Sequence, residues 1–189
     1  MKRRYSKALG RKTHAKPDVS ISTLDEEEST SFLEGLKHDP FILALDQVQD
    51  PRNLGACLRS ADGAGVDLVV LPNDRSAGLT EVVRHVACGA AENLSIARVG
   101  NLARYLDKLK SLGIKWVGTS DQATQSLYNV SFGGAIGLIM GAEETGIRRL
   151  TAKYCDELVY IPMHGGVECL NVSVATGVCL FEAKRQRTT

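Results

Sequence analysis

The sequence lacks any apolar run near the ~20 residues that a membrane-spanning helix requires, because charged or turn-forming residues interrupt every stretch. The amino terminus is polar and basic without an apolar core, so a secretory signal is not expected. A length of 189 residues indicates about one domain, and a composition of 43% hydrophobic and 24% charged residues is ordinary for a globular protein. These properties predict a soluble, cytoplasmic protein.

Metal-binding and disulfide patterns are also missing. None of the five cysteines stands in a C-x-x-C pair, and no histidine follows such a pair at zinc-finger spacing. An odd number of cysteines without a secretory signal predicts reduced thiols, mostly in the core. No metal site is therefore expected. The cysteines are Cys57, Cys88, Cys155, Cys169 and Cys179.

The common nucleotide and hydrolase motifs are absent as well. There is no G-x-G-x-x-G after the first predicted strand, no G-x-x-x-x-G-K-[ST] and no G-x-S-x-G. These absences disfavour a dinucleotide site, a P-loop and an α/β-hydrolase nucleophile. The four histidines, His14, His38, His85 and His164, adjoin no nucleophile–acid pattern and are interpreted as surface or packing residues.

Charge is distributed unevenly along the chain. The net charge is +1, but the first 17 residues carry seven cations and no acid, which leaves −6 on the remainder. A basic arm on an acidic body is typical of nucleic-acid-binding tails, although a terminus that is only solvated has the same composition. The cations of the arm are Lys2, Arg3, Arg4, Lys7, Arg11, Lys12 and Lys16.

Two regions are expected. Residues 1–40 form a basic, then acidic, N-terminal extension that is predicted to be largely flexible, or draped over the surface up to residue 30, with a short helix near residues 32–37. From Phe41 onward, apolar runs alternate with helical spacings, which predicts an α/β domain over residues 41–189 with a mostly parallel sheet and helices on both faces. The predicted strands are 41–45, 67–71, 95–99, 115–119, 135–140 and 157–161. The predicted helices are 53–64, 80–88, 101–112, 147–154 and 170–187.

The first unusual segment, residues 50–60, follows the first predicted strand, and parallel sheets bind ligands at the carboxyl ends of their strands. Asn53 stands at a helix start, where it can cap the helix, and Gly55 allows a close approach to the backbone. Arg59 lies about one and a half turns further along. Arginine can grip a phosphate with two parallel hydrogen bonds, and it can equally form a surface salt bridge.

Two further segments follow later strands. In residues 140–146, glycines bracket two acids, of which Glu143 can pair with an arginine or a ligand, or serve as an acid at a helix N-terminus. Residues 161–175 are a strand end, a glycine-rich loop and a helix start of small residues. Backbone amides there can hold a small polar ligand; the alternative is an ordinary loop capped by Asn171.

In this order, the three segments resemble the three motifs of the SpoU (TrmH-like) branch of the SPOUT RNA methyltransferases. The shared motifs are Asn-x-Gly-Ala-x-x-Arg-Ser from Asn53, Gly-x-Glu-x-x-Gly from Gly141 and Leu-Asn-Val-Ser-Val-Ala from Leu170. The likeness extends over about residues 41–187. Within the branch it is greatest to the RlmB-type ribosomal RNA 2′-O-methyltransferases, through residues 53–62, 86–92 and 171–177.

The resemblance implies a SPOUT fold with a C-terminal trefoil knot, S-adenosylmethionine as methyl donor, a ribose 2′-hydroxyl as acceptor and a homodimer. The acceptor implied is a guanosine of ribosomal RNA; transfer RNA, and a non-catalytic RNA-binding relative, remain alternatives. The implied catalytic residues are Asn53, Arg59, Glu143 and Asn171, with Arg59 reaching the donor bound in the partner subunit. The implied donor-binding positions, largely backbone, are Met140, Gly141, Ile161, Met163 and Leu170.

Two departures from the family pattern concern the substrate. Cys169 stands where related enzymes commonly carry serine, and a thiol is the poorer hydrogen-bond donor. RlmB-type enzymes carry a separate N-terminal RNA-binding domain, whereas here about forty residues precede the first predicted strand. Arg59 and the basic arm are therefore the predicted RNA contacts, the arm through Lys2, Arg3, Arg4, Lys7, Arg11 and Lys12.

The chemistry of arginine suggests its role. A guanidinium does not normally lose its proton in proteins, so Arg59 is a poor general base. The hypothesis is that charged Arg59 grips the phosphate beside the target ribose, oriented by Glu143 and Asn53. The proton of the 2′-hydroxyl would then leave to that phosphate or to water.

Overall fold

The computed structural model describes residues 21–142 and 145–188; the basic arm and Glu143 lie outside them. Its strands are β1 (Phe41–Asp46), β2 (Leu68–Pro72), β3 (Ser95–Val99), β4 (Lys115–Thr119), β5 (Gln125–Ser126), β6 (Ile136–Gly141) and β7 (Glu157–Tyr160). They form one sheet in the order β3-β2-β1-β6-β4-β7-β5, and every pairing is parallel. The prediction of a parallel α/β sheet is confirmed.

Helices connect the strands. They are α1 (Glu26–Glu34), α2 (Pro51–Ala64), α3 (Glu81–Ala87), α4 (Ala90–Asn93), α5 (Leu102–Ser111), α6 (Arg149–Ala152) and α7 (Val172–Arg187), with a 3₁₀ turn at Leu127–Asn129. None of the helices in the described residues has the length and apolarity needed to cross a membrane.

The central strands β1 and β6 are buried along their whole length because helices cover both faces of the sheet. Alternate residues of β1 serve two cores: Leu43 packs in the core that includes α2 and α7, and Ile42 packs in the core that includes α5. Trp116 of β4 is fully buried and lies over Gly137, where any Cβ would overlap the indole ring. Fully burying one such large apolar side chain contributes about 1.5–3 kcal/mol.

The helix that carries the first motif begins earlier than predicted. Asp50 is its N-cap, with the carboxylate accepting from the backbone N–H of Arg52 at 2.7 Å, and Pro51 fills the first helical position. The prediction that Asn53 can cap this helix is therefore wrong. Asn53 lies inside the first turn, and its side chain accepts from Asn171. The helix ends as expected at Gly65, which has φ 77°.

The structure also corrects the predictions for residues 21–34. The first helix spans Glu26–Glu34 rather than residues 32–37, because Asp25 and Glu28 form a capping box that was not predicted. Ser29 hydrogen-bonds Tyr105 of α5 at 2.7 Å, and the backbone of Leu24 bonds β3. Of the two arrangements expected up to residue 30, flexible or draped over the surface, the structure shows the second for residues 21–30.

Smaller differences occur towards the carboxyl half. The helix predicted at 147–154 is one turn, α6, and the short elements α4, β5 and the 3₁₀ turn were not predicted. Each of these elements has four residues or fewer, too short for an apolar period to develop. The other predicted strands and helices differ from the structure by at most two residues at their ends.

Candidate active site at the carboxyl edge of the sheet

The first and third motifs meet through two asparagines. Asn171 is the N-cap of α7: its side-chain oxygen accepts from the backbone N–H of Ser173 at 2.9 Å and from its hydroxyl at 2.6 Å. This fixes the orientation of the carboxamide, whose Nδ2 donates to Oδ1 of Asn53 at 3.1 Å. Asn171 therefore caps α7, and its bond to Asn53 brings together two residues 118 positions apart.

The second motif forms a loop closed at its base. Ala142 and Gly146 exchange two backbone hydrogen bonds, of 3.2 and 2.9 Å, and Gly146 has φ 61°. A Cβ on Gly141 would overlap the carbonyl of Gly146 and the amide nitrogen of Ile147, so only glycine fits there. Met140, the residue before, is buried in β6 and receives a weak hydrogen bond from Thr119 at 3.8 Å.

A half-buried ion pair that was not predicted from the sequence anchors this loop. The carboxylate of Asp46, at the end of β1, is fully buried and accepts from the backbone N–H of Arg148 at 3.0 Å and from its guanidinium at 2.7 Å. The pair joins the carboxyl end of β1 to the residue that follows the closed loop. An acid directly after an apolar strand was the only sequence signal, and it was interpreted merely as the strand's boundary.

The third motif offers open backbone groups. From Ile161 to Leu170, the backbone forms no backbone–backbone hydrogen bond within the described residues. Ile161, Met163 and Leu170 are half-buried, while Cys169 is exposed. Unpaired N–H and C=O groups beside half-buried apolar side chains suit a ligand with both an apolar and a hydrogen-bonding part.

Arg59 does not join the two asparagines within one chain. It is exposed, and its Nη1 donates to the sulfur of Cys88 at 3.4 Å. At about 100° per residue, six residues place Arg59 about 120° around α2 from Asn53. The close approach that Gly55 permits is to α3, since a Cβ there would lie 2.8 Å from both the carbonyl oxygen of Val83 and the Cβ of Val86. That glycine serves helix packing and not a ligand.

A cleft of about 210 Å³ lies where the loop after β1, the start of α2, the second-motif loop and the start of α7 converge. Its position at the carboxyl ends of the adjacent strands β1 and β6 is where parallel sheets bind ligands. The lining residues are Gln47, Val48, Gln49, Asp50, Asn53, Ala142, Thr145 and Val172.

All five cysteines are free thiols, as predicted, but they are less buried than expected. Cys57 and Cys179 lie in the core, Cys155 is partly buried, and Cys88 and Cys169 are exposed. Burial raises the pKa of the Cys155 and Cys179 thiols to about 12, because it disfavours the thiolate. Only the two exposed thiols, both beside candidate site residues, stay accessible to reagents.

The chain is similar to curated RNA methyltransferases. The 23S rRNA (guanosine-2'-O-)-methyltransferase RlmB of Salmonella typhi is 55% identical over 163 residues, which are 86% of this chain and 67% of that protein. The protein of the same name from Escherichia coli K12 is 57% identical over 149 residues, 79% of this chain and 61% of that one. The chain thus spans about two thirds of the length of these curated relatives.

A solved structure gives the same fold. The SpoU methyltransferase AviRb from Streptomyces viridochromogenes, in complex with the cofactor AdoMet, aligns with a TM-score of 0.75 at 26% identity, over 82% of this chain and 63% of that one. Residues 40–181 match the SpoU rRNA Methylase family. The chain belongs to this family.

Proposed function

We propose that this chain is an RNA methyltransferase that transfers a methyl group from S-adenosylmethionine to the ribose 2′-hydroxyl of a guanosine in 23S ribosomal RNA. The observation that carries the proposal is the meeting of the three motifs at one edge of the sheet, where Asn171 bonds Asn53 beside the closed loop after Gly141. The RlmB relatives, which are 23S rRNA (guanosine-2'-O-)-methyltransferases, supply the nucleotide and the RNA. A ribosomal RNA substrate also supports a cytoplasmic location.

The residues present fit the donor. Gly141 leaves no room for a side chain against its own loop, and the backbone from Ile161 to Leu170 keeps its polar groups open. Met140, Gly141, Ile161, Met163 and Leu170 would hold the donor. The donor, once bound, supplies an electrophilic methyl group on a sulfonium.

The asparagines act as positioning groups in this proposal. Asn171 bonds Asn53, which lines the cleft, and the bond holds both side chains in one orientation, so the acceptor ribose meets a preorganised surface and not a mobile one. Arg59 holds the neighbouring phosphate, and Glu143 orients Arg59. The proton of the 2′-hydroxyl leaves to that phosphate or to water.

A homodimer completes this site. Val174 and Phe181 are more than half exposed and lie seven residues apart on α7, so they share one face of the helix, next to α2, where Phe181 approaches Gly63. An apolar stripe beside the helix that carries Arg59 fits a second copy. The exposure of Arg59 on a different face of α2 from Asn53 supports its delivery to the partner's site.

The trefoil knot is part of the same proposal. The chain leaves the centre of the sheet at β6, reaches β7 beyond β4, and returns to pack α7 on α2. The proposal also divides the chain into an extension at 1–40 and a methyltransferase domain at 41–189. The basic arm of the extension binds RNA. The net charge of −6 outside the arm supports the need for such an arm.

Mapping 2′-O-methyl groups in cellular RNA tests the proposed function. Comparing cells with and without the gene, we expect one guanosine of 23S ribosomal RNA to lose its methyl group completely, and to regain it with the wild-type gene. A methyl group lost only from transfer RNA would show that the substrate is transfer RNA and not ribosomal RNA. Unchanged RNA, together with no S-adenosylmethionine binding in calorimetry, would indicate a non-catalytic relative.

A further inference from the structure

Gln47 adopts a backbone conformation that is unfavourable for its residue type. Its φ is 66°, in the left-handed region that glycine, asparagine and aspartate tolerate better. Such residues persist where the surrounding structure imposes them, and they concentrate at ligand sites. Gln47 is the residue immediately after β1, at the carboxyl edge where the motifs meet.

Both neighbours of Gln47 are fixed. Asp46 is fully buried and paired with Arg148, and Val48 is buried with its carbonyl accepting from the N–H of Ala77 at 2.9 Å. The backbone between these anchors therefore has little freedom. The side chain of Gln47, by contrast, is half-buried, lines the cleft and forms no hydrogen bond with the rest of residues 21–142 and 145–188.

The cleft in front of Gln47 is suited to an uncharged, hydrogen-bonding ligand. Among the described residues that line it there are three carboxamides and one hydroxyl, but no lysine or arginine. Its one acid, Asp50, is engaged as the cap of α2. Val48 and Val172 add apolar surface. The volume of about 210 Å³ is below the ~300–1,000 Å³ of pockets for drug-sized ligands, and the chemistry suits a nucleoside and not a phosphate.

We propose that Gln47 is a specificity-determining residue whose side-chain carboxamide hydrogen-bonds the base of the target nucleotide, while Asn53 faces the ribose of the same nucleotide. This assignment rests on the proposed function and deepens it. A carboxamide both donates and accepts, so it can pair with the donor and acceptor groups on a guanine edge. The strained backbone places that carboxamide in the cleft.

Two variants separate the strain from the carboxamide. Gln47→Gly removes both, and Gln47→Ala removes the carboxamide but keeps a Cβ at the positive φ. The substrates are a 23S ribosomal RNA fragment with the mapped guanosine and the same fragment with adenosine there. The measurements are kcat and KM for each RNA, calorimetric S-adenosylmethionine affinity and the thermal unfolding midpoint.

Both variants are expected to raise KM for the guanosine RNA about 3- to 10-fold, the value of one neutral hydrogen bond, and to lower the preference for guanosine over adenosine by a similar factor. Donor affinity should not change. Gln47→Gly should unfold at a higher temperature than Gln47→Ala, because glycine carries no penalty at this φ. If Gln47 had only a structural role, substrate selection should recover in the more stable variant, Gln47→Gly. Equal loss of selection in both variants is therefore not what a structural role would produce.

Three results would overturn the assignment. Variants with wild-type KM and wild-type preference for guanosine would show that Gln47 does not contact the base. A loss confined to donor affinity would show that it only supports the second-motif loop. Wild-type protein that methylates neither RNA would refute the proposed function itself, and the role of Gln47 with it.

Discussion

Arg59→Lys is expected to lower the turnover of RNA methylation about 10²-fold or more at every pH between 6 and 9. The lysine keeps the charge but replaces a planar fork by a point charge, so the two parallel hydrogen bonds to a phosphate are lost and the ribose is misplaced. Misplacement of a reacting group by about 1 Å can cost about 10²-fold in rate. Single-turnover rates at saturating donor and RNA measure this effect.

Arg104→Lys is the matched control. Arg104 lies on α5, is 72% exposed and pairs with Glu26 at 3.4 Å, well away from the motifs. This variant should keep wild-type turnover. Arg59→Lys should keep wild-type affinity for the donor. Near-normal turnover of Arg59→Lys would count against a phosphate grip. A rate that recovers at high pH would instead point to proton transfer at this position.

Gly141→Ala is expected to abolish measurable S-adenosylmethionine binding and, with it, methyl transfer. The added Cβ would overlap the carbonyl of Gly146 and the amide of Ile147, so the closed loop must open by the width of a methyl group. Overpacking of this kind also destabilises a fold by about 1–3 kcal/mol. Calorimetric titration with the donor and thermal unfolding separate the two consequences.

Gly100→Ala provides the comparison for Gly141→Ala. A Cβ at Gly100 meets nothing within 4 Å, and its φ is not in the left-handed region. This variant should bind the donor as the wild type does. If Gly141→Ala bound the donor normally while folded, the second-motif loop would not be part of the donor site.

The sequence was informative where motifs are local. The strands and the long helices follow from apolar spacing, and the motifs single out Asn53 and Asn171, which the structure brings into contact. Asp46 and Arg148 were missed because their pairing spans 102 residues and depends on the order of the strands, which no local period encodes. Gln47 was missed because a positive φ at a non-glycine residue leaves no mark in the sequence.

The position of Arg59 shows the same limit at the level of assembly. The sequence shows that Arg59 follows Asn53 by six residues, and helix geometry then places the two side chains about 120° apart around the axis of α2. The structure adds that Arg59 is exposed and that its guanidinium donates to the sulfur of Cys88 in its own chain. Whether one subunit or two build the site therefore depends on how two copies of the chain pair, which a single sequence does not encode.

Mixing two inactive variants, Arg59→Ala and Asn171→Ala, tests the shared site most directly. If each site combines Arg59 of one subunit with Asn171 of the other, a mixed dimer holds one intact site and one doubly altered site. Random exchange makes about half of the dimers mixed, so the mixture should recover about one quarter of wild-type activity. A mixture that stays as inactive as either variant, although exchange is demonstrated, would contradict the account and place Arg59 and Asn171 in sites within a single subunit.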